Sequence, residues 1–218
     1  MAKTQQKTPA APNFKDWDKE ATARARAAVA GGKQDPLKPP KDSKVSVDKN
    51  GVQYTRWSEH VTITSAYRST SKSGLMDVTV VAKIRQSEKN TGSRVFGHFY
   101  QNTADEIPEG HETMNDRSMG SLITLLVATG FMPAGGSLRG SLLDKMFPSK
   151  GQPGVSSPLN GKAVVASIVQ QLGPQKDQRT NKPILDESGE PILGKRDNVE
   201  SFLPETAAGE GEADEVEE

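Results

Sequence analysis

The chain has 218 residues, enough for one ordinary domain with tails, and its 28 basic and 28 acidic residues cancel. An apolar fraction of 33% is low for a fully packed globular chain, so part of the sequence is expected not to pack. There is no cysteine, which excludes a disulfide framework and a thiolate metal site and suits a reducing, cytosolic setting. The stretch Met1–Ala11 is polar, and no run approaches the length of a membrane span, so neither export by a cleaved leader nor membrane insertion is expected.

Zero net charge conceals an asymmetry. Every charged residue from Glu200 onward is acidic: Glu200, Glu205, Glu210, Glu212, Asp214, Glu215, Glu217 and Glu218. Removing those eight leaves 20 acidic against 28 basic residues, so positions 1–199 carry about +8. Such a division suggests a polyanion-binding body with an acidic appendage.

In chain order, residues 1–43 are rich in Ala, Lys, Pro and Gln, and are expected to form a mostly disordered basic arm. A helix over Trp17–Val29 is favoured by Ala and Arg, but its thin apolar stripe makes it marginal alone. Order is expected from Lys44, where KVSVD, Asn50-Gly51 and VQYTRW predict a β-hairpin. The alternating run 61–69 predicts a strand, and an SKSG turn leads into another over 75–86. There Met76, Val78, Val80, Ala82 and Ile84 share one face, with Lys83 and Arg85 on the other. A polar turn then leads to a strand over 94–101.

The period next changes to that of a helix. Met119, Leu122, Ile123, Leu126 and Val127 recur at helical spacing, with Asn115 or Asp116 as N-cap and Gly130 as stop. A shorter helix is predicted over Leu138–Phe147, closed by Pro148. After a Pro/Gly/Ser loop comes a strand over 161–172 that is apolar on both faces. A long polar loop precedes a last strand, 198–203, ended by Pro204. The fold expected is mainly β with a helix pair: three strands, helices, then two strands, the order of a five-stranded OB-type barrel. The domain is expected over 44–204, and 205–218 as a disordered acidic tail.

Catalytic and metal patterns are not convincing, and no enzyme activity or cofactor is expected. Gly154 and Gly161-Lys162-Ala163 lack the spacing and hydroxyl of a phosphate loop. His60, His98 and His111 have no partner at ligand spacing, and the carboxylates between Asp105 and Asp116 lack a calcium-loop pattern. The strand faces carry more. Even positions of 94–101 align Arg94, Phe96, His98 and Tyr100 beside Lys83 and Arg85 on the neighbouring strand; the opposite parity would make Phe96 and Tyr100 core. Cations interleaved with aromatic rings suit a single nucleic-acid strand, because cations neutralise phosphates and rings stack on bases of any sequence. Tyr54, Arg56, Trp57, Tyr67 and Arg68 extend the candidate set on the preceding strands, with Trp57 either platform or core. Lys176, Arg179, Lys182, Lys195 and Arg196 extend it on the last long loop.

Together these features resemble phage-type single-stranded DNA-binding proteins, and the tail 205–218 is the most specific part of that resemblance. The resemblance implies an OB body that coats single-stranded DNA during replication or recombination. It also implies an acidic tail that contacts replication or recombination proteins and competes with DNA for the groove. Such tails often finish on an aromatic residue, whereas this one ends Glu-Val-Glu-Glu. Two other functions fit the same features: an assembly or virion component with charged tails, and an RNA-binding OB protein.

Overall fold

The computed structural model describes residues 13–29, 46–47, 53–70, 75–87, 91–101, 112–175, 177, 180 and 182–205. The elements run α1 (Lys19–Val29), β1 (Ser46–Val47), β2 (Gln53–Thr70), β3 (Met76–Gln86), β4 (Arg94–Gln101), α2 (Glu112–Ala128), α3 (Gly140–Met146), β5 (Ala163–Pro174) and β6 (Leu193–Leu203). The protein is therefore mainly β, an open six-stranded antiparallel sheet of order β4-β3-β2-β5-β6 with β1 added to β2, and three helices. The long strand β2 passes its partnership from one neighbour to the other: residues 53–62 pair with β5 and residues 60–70 with β3. The order β5-β2-β3-β4 places the fourth strand beside the first, which is a Greek key.

A register shift in the β2–β3 ladder between Ile63 and Ser65 decides which side chains enter the core. Before it, odd positions face inward (Trp57 against the core, Val61 and Ile63 buried); after it, even ones do (Ala66 and Arg68). One extra residue in a ladder reverses the parity of everything beyond it. Inward positions of β3 and β4 are Met76, Val78, Val80, Ala82 and Ile84, then Val95, Gly97 and Phe99. No ladder joins β4 to β6 among the described residues, yet the two edges converge, with the Phe99 and Phe202 rings 6.3 Å apart. Gly97 permits this approach: a Cβ there would lie 3.0 Å from Phe99 ring atoms and 3.3 Å from Phe202.

In α2, Met119, Leu122, Ile123 and Leu126 are buried as the spacing predicts, each contributing about 1.5–3 kcal/mol, while Val127 is only partly covered. The helix ends at Ala128, and the chain turns away at Gly130, whose φ of 75° favours glycine. Its start corrects the expected cap. The helix begins at Glu112, so Asn115 and Asp116 lie inside it and are buried. Asp116 there accepts a hydrogen bond from Arg24 Nε at 2.8 Å, anchoring α1.

Residues 13–29 also differ from the expected loose arm. Thr22 and Ala25 of α1 are buried, and Phe14 and Trp17 pack against the core. The Trp17 amide donates to Leu138 O at 2.9 Å, and the Gly140 amide to the Asp16 carboxylate at 2.6 Å. Tertiary packing supplies what the thin stripe lacks. The expected Asn50-Gly51 and SKSG turns, the Asp105–His111 stretch and the tail beyond 205 lie outside the described residues. The last strand is longer than its apolar run, because Leu193–Asn198 continue the ladder with β5 through polar residues. Among the described residues, no helix is long and apolar enough to cross a membrane.

Candidate nucleic-acid interface

The alternation of β4 puts Val95, Gly97 and Phe99 inside and Arg94, Phe96, His98 and Tyr100 outside. Phe96 is 42% exposed and Tyr100 37%, a large apolar area for a sheet face that no described element covers. Across the ladder, Arg94 stands opposite Lys83, Phe96 opposite Val81, His98 opposite Thr79 and Tyr100 opposite Asp77. The His98 and Tyr100 rings lie 6.3 Å apart and 14° from parallel, two neighbouring stacked rings on the outer face. His98 Nδ1 is 3.2 Å from Asp77 Oδ1, which orients the imidazole. Partial burial, with the Asp77 charge second, raises the Tyr100 phenol above its ordinary value.

Lys83 and Arg94 are exposed like charges placed directly opposite each other, an unfavourable arrangement without an anion between them. No carboxylate among the described residues lies within ion-pair distance of either. Arg85 extends the row, and its guanidinium donates to Glu205, whose carboxylate is also 3.8 Å from His60 Nδ1. The acidic tail thus begins against one of the site's cations. Tyr67 joins the same face, since after the register shift it stands opposite Thr79.

The structure brings Lys83, Arg85, Arg94, Phe96, Tyr100 and Tyr67 to one continuous surface, and separates the other candidates from it. Arg68 is corrected outright: it faces inward at 6% exposure, bonds Asp144, donates to Asn13 Oδ1 at 3.1 Å and covers the Phe14 ring at 5.4 Å. These contacts tie β2 to α3 and to residues 13–14. Trp57 is inward too, opposite Ile168 and half-buried against the core, away from the β3–β4 outer face. Arg56 is half-buried and holds Glu200 through two hydrogen bonds, of 3.1 and 3.3 Å. Tyr54 shares its face, at the end of β2 that pairs with β5 rather than β3.

Lys195 lies on β6 opposite Leu172, and Leu172 opposite Gln53, roughly 20 Å along β2 from the His60 end of the site. Lys182 is exposed in the β5–β6 loop, where Ile184, Ile192 and Gln175 exchange backbone hydrogen bonds of 2.8–2.9 Å. The Asp186 carboxyl at its turn is held below the usual range, first by the Ser188 hydroxyl and then by backbone amides. Lys176 and Arg179 lie outside the described residues, as does the side chain of Arg196.

Sequence reasoning missed Lys150, which follows α3 and sits 5.3 Å from the centre of the Tyr67 ring. No signal in its loop marks it, because the contact depends on the pairing of residues 148–150 with Arg68. Compared with protein-family models, curated proteins and solved structures, the chain matches none.

Proposed function

We propose that this protein binds single-stranded DNA without sequence preference, through the outer face of β3 and β4, and coats it during replication or recombination. The observation that carries the reading is the exposed Phe96 and Tyr100 in line with Lys83 and Arg94, two facing cations with no ion-pair partner among the described residues. Rings of this kind accept any base, and the like-charged pair is relieved by a phosphate. The fold supports the same reading. Three strands, helices and two strands, a Greek-key order and converging edges at Phe99 and Phe202 suit a partly open OB barrel, whose second and third strands face nucleic acid. In that correspondence β3 and β4 are those strands, and the β5–β6 loop is one of the flanking arms.

The Glu205–Arg85 contact supports a tail that competes with DNA for the cationic row. One observation favours a different class of function. Ile184, Leu185, Ile192 and Leu193 are all exposed on the β5–β6 hairpin, which suits a protein contact in an assembly component. A gel shift with oligo-dT, oligo-U and duplex DNA at two salt concentrations separates the readings. Preference for dT supports the proposal, preference for U favours an RNA-binding protein, and no shift with any of them leaves the assembly reading.

A further inference from the structure

Between β2 and the loop that follows α3 lies a cleft of about 320 Å³, a volume at the small end of ligand sites. Ser65 and Tyr67 line it from β2; Lys150, Gln152, Ser156 and Asn160 line it from the loop. Among the described residues its lining holds one cation and no carboxylate. Its hydroxyl and amide side chains offer hydrogen bonds to a phosphate and a sugar, and Ala66, Pro148 and Val155 add an apolar wall. Lys150 is exposed, with its ammonium over the Tyr67 ring, while its backbone amide is fixed to Arg68 O at 2.8 Å. The charge is thus held at the mouth of the cleft by a rigid anchor.

The ladder registers connect this cleft to the β3–β4 face. On the outer side of the sheet one row runs Phe96, Val81, Ser65; the next runs His98, Thr79, Tyr67, with Thr79 buried beside the Asp77 and His98 side chains. Both rows cross two interstrand spacings, about 10 Å, and end on Ser65 and Tyr67, two of the three β2 residues that line the cleft. Resting on the single-strand reading above, we infer that the bound strand crosses the sheet from β4 over β3 to β2. It delivers one sugar–phosphate unit into the cleft beside Lys150.

The test measures affinity for oligo-dT of about 4 to about 16 nucleotides across a range of salt. It compares the full chain with its Lys150→Gln, Lys150→Arg and Phe96→Ala variants. Lys150→Gln should weaken binding several-fold, with a loss that grows with oligonucleotide length. The slope of log K against log salt should become shallower by about 0.7, one phosphate contact on a single strand. Lys150→Arg should restore both, and all variants should melt as the parent does. Unchanged affinity and slope in Lys150→Gln, with Phe96→Ala still weakened, would overturn the path into the cleft while leaving the β3–β4 reading intact. Absence of dT binding by the parent chain would overturn both.

Discussion

Lys83 and Arg94 face each other across the β3–β4 ladder, two exposed cations at one cross-strand pair. Like charges in that position cost stability, by the same fraction of a kcal/mol up to about 1 that opposite charges contribute. Lys83→Gln should therefore leave the melting temperature equal or slightly higher. It should also make the salt dependence of oligo-dT binding shallower by about 0.7. A lower melting temperature with unchanged salt dependence would show Lys83 serving the fold instead.

Arg68 makes the opposite prediction. Its guanidinium is buried against Asp144, Asn13 and Phe14, so Arg68→Ala strands polar partners and opens space. A loss of about 3 kcal/mol is expected in urea unfolding, with Asp144 partly exposed and so partly rescued by water. Oligo-dT affinity measured well below the melting point should not change. Retained stability with lost affinity would return Arg68 to the binding surface.

These two arginine and lysine sites show what was legible. The lysine's face follows from simple alternation in β3, and the sequence reads it correctly. The sequence groups Arg68 with Tyr67 among the candidates, because nothing in the run 61–69 announces the register shift at Thr64, which depends on the partner strand. The parity of β4 was open between two faces that each carry a Phe. Gly97 was the available signal, since a glycine inside a strand often marks a close approach, here by Phe99 and Phe202. The docking of α1 was not legible, because Phe14, Trp17 and Ala25 find their partners on α2 and near α3, more than a hundred residues away for Trp17 and Leu138.

Tyr100 carries a pH prediction. Its phenol is raised by burial first and Asp77 second, so the folded state holds the proton more tightly than the unfolded chain. The stability this contributes is complete below the ordinary phenol value of about 10 and is lost as pH rises through the raised folded value. Ultraviolet titration of the parent against Tyr100→Phe should reveal one phenol ionising above that range. Asp77→Asn should bring it part of the way down. A Tyr100 titrating at or below the ordinary value would contradict the packing described here.

Deleting residues 205–218 removes seven carboxylates, including the Glu205 that contacts Arg85 and approaches His60. A tethered segment can reach an effective concentration in the millimolar range, so its loss should tighten oligo-dT binding at low salt. Salt screens the tail and the DNA alike, and the gain should shrink as salt rises. Equal affinities of the full and truncated chains at low salt would remove the tail from the groove.

The central claim rests on Phe96, an exposed ring between two cations and a row of aromatic side chains. The most direct measurement is the oligo-dT affinity of Phe96→Ala set beside its melting temperature. The account predicts a loss of about 1–3 kcal/mol in binding, roughly five- to 150-fold, with the melting temperature unchanged. Unchanged affinity with a melting temperature several degrees lower would contradict it, and would make Phe96 a packing residue.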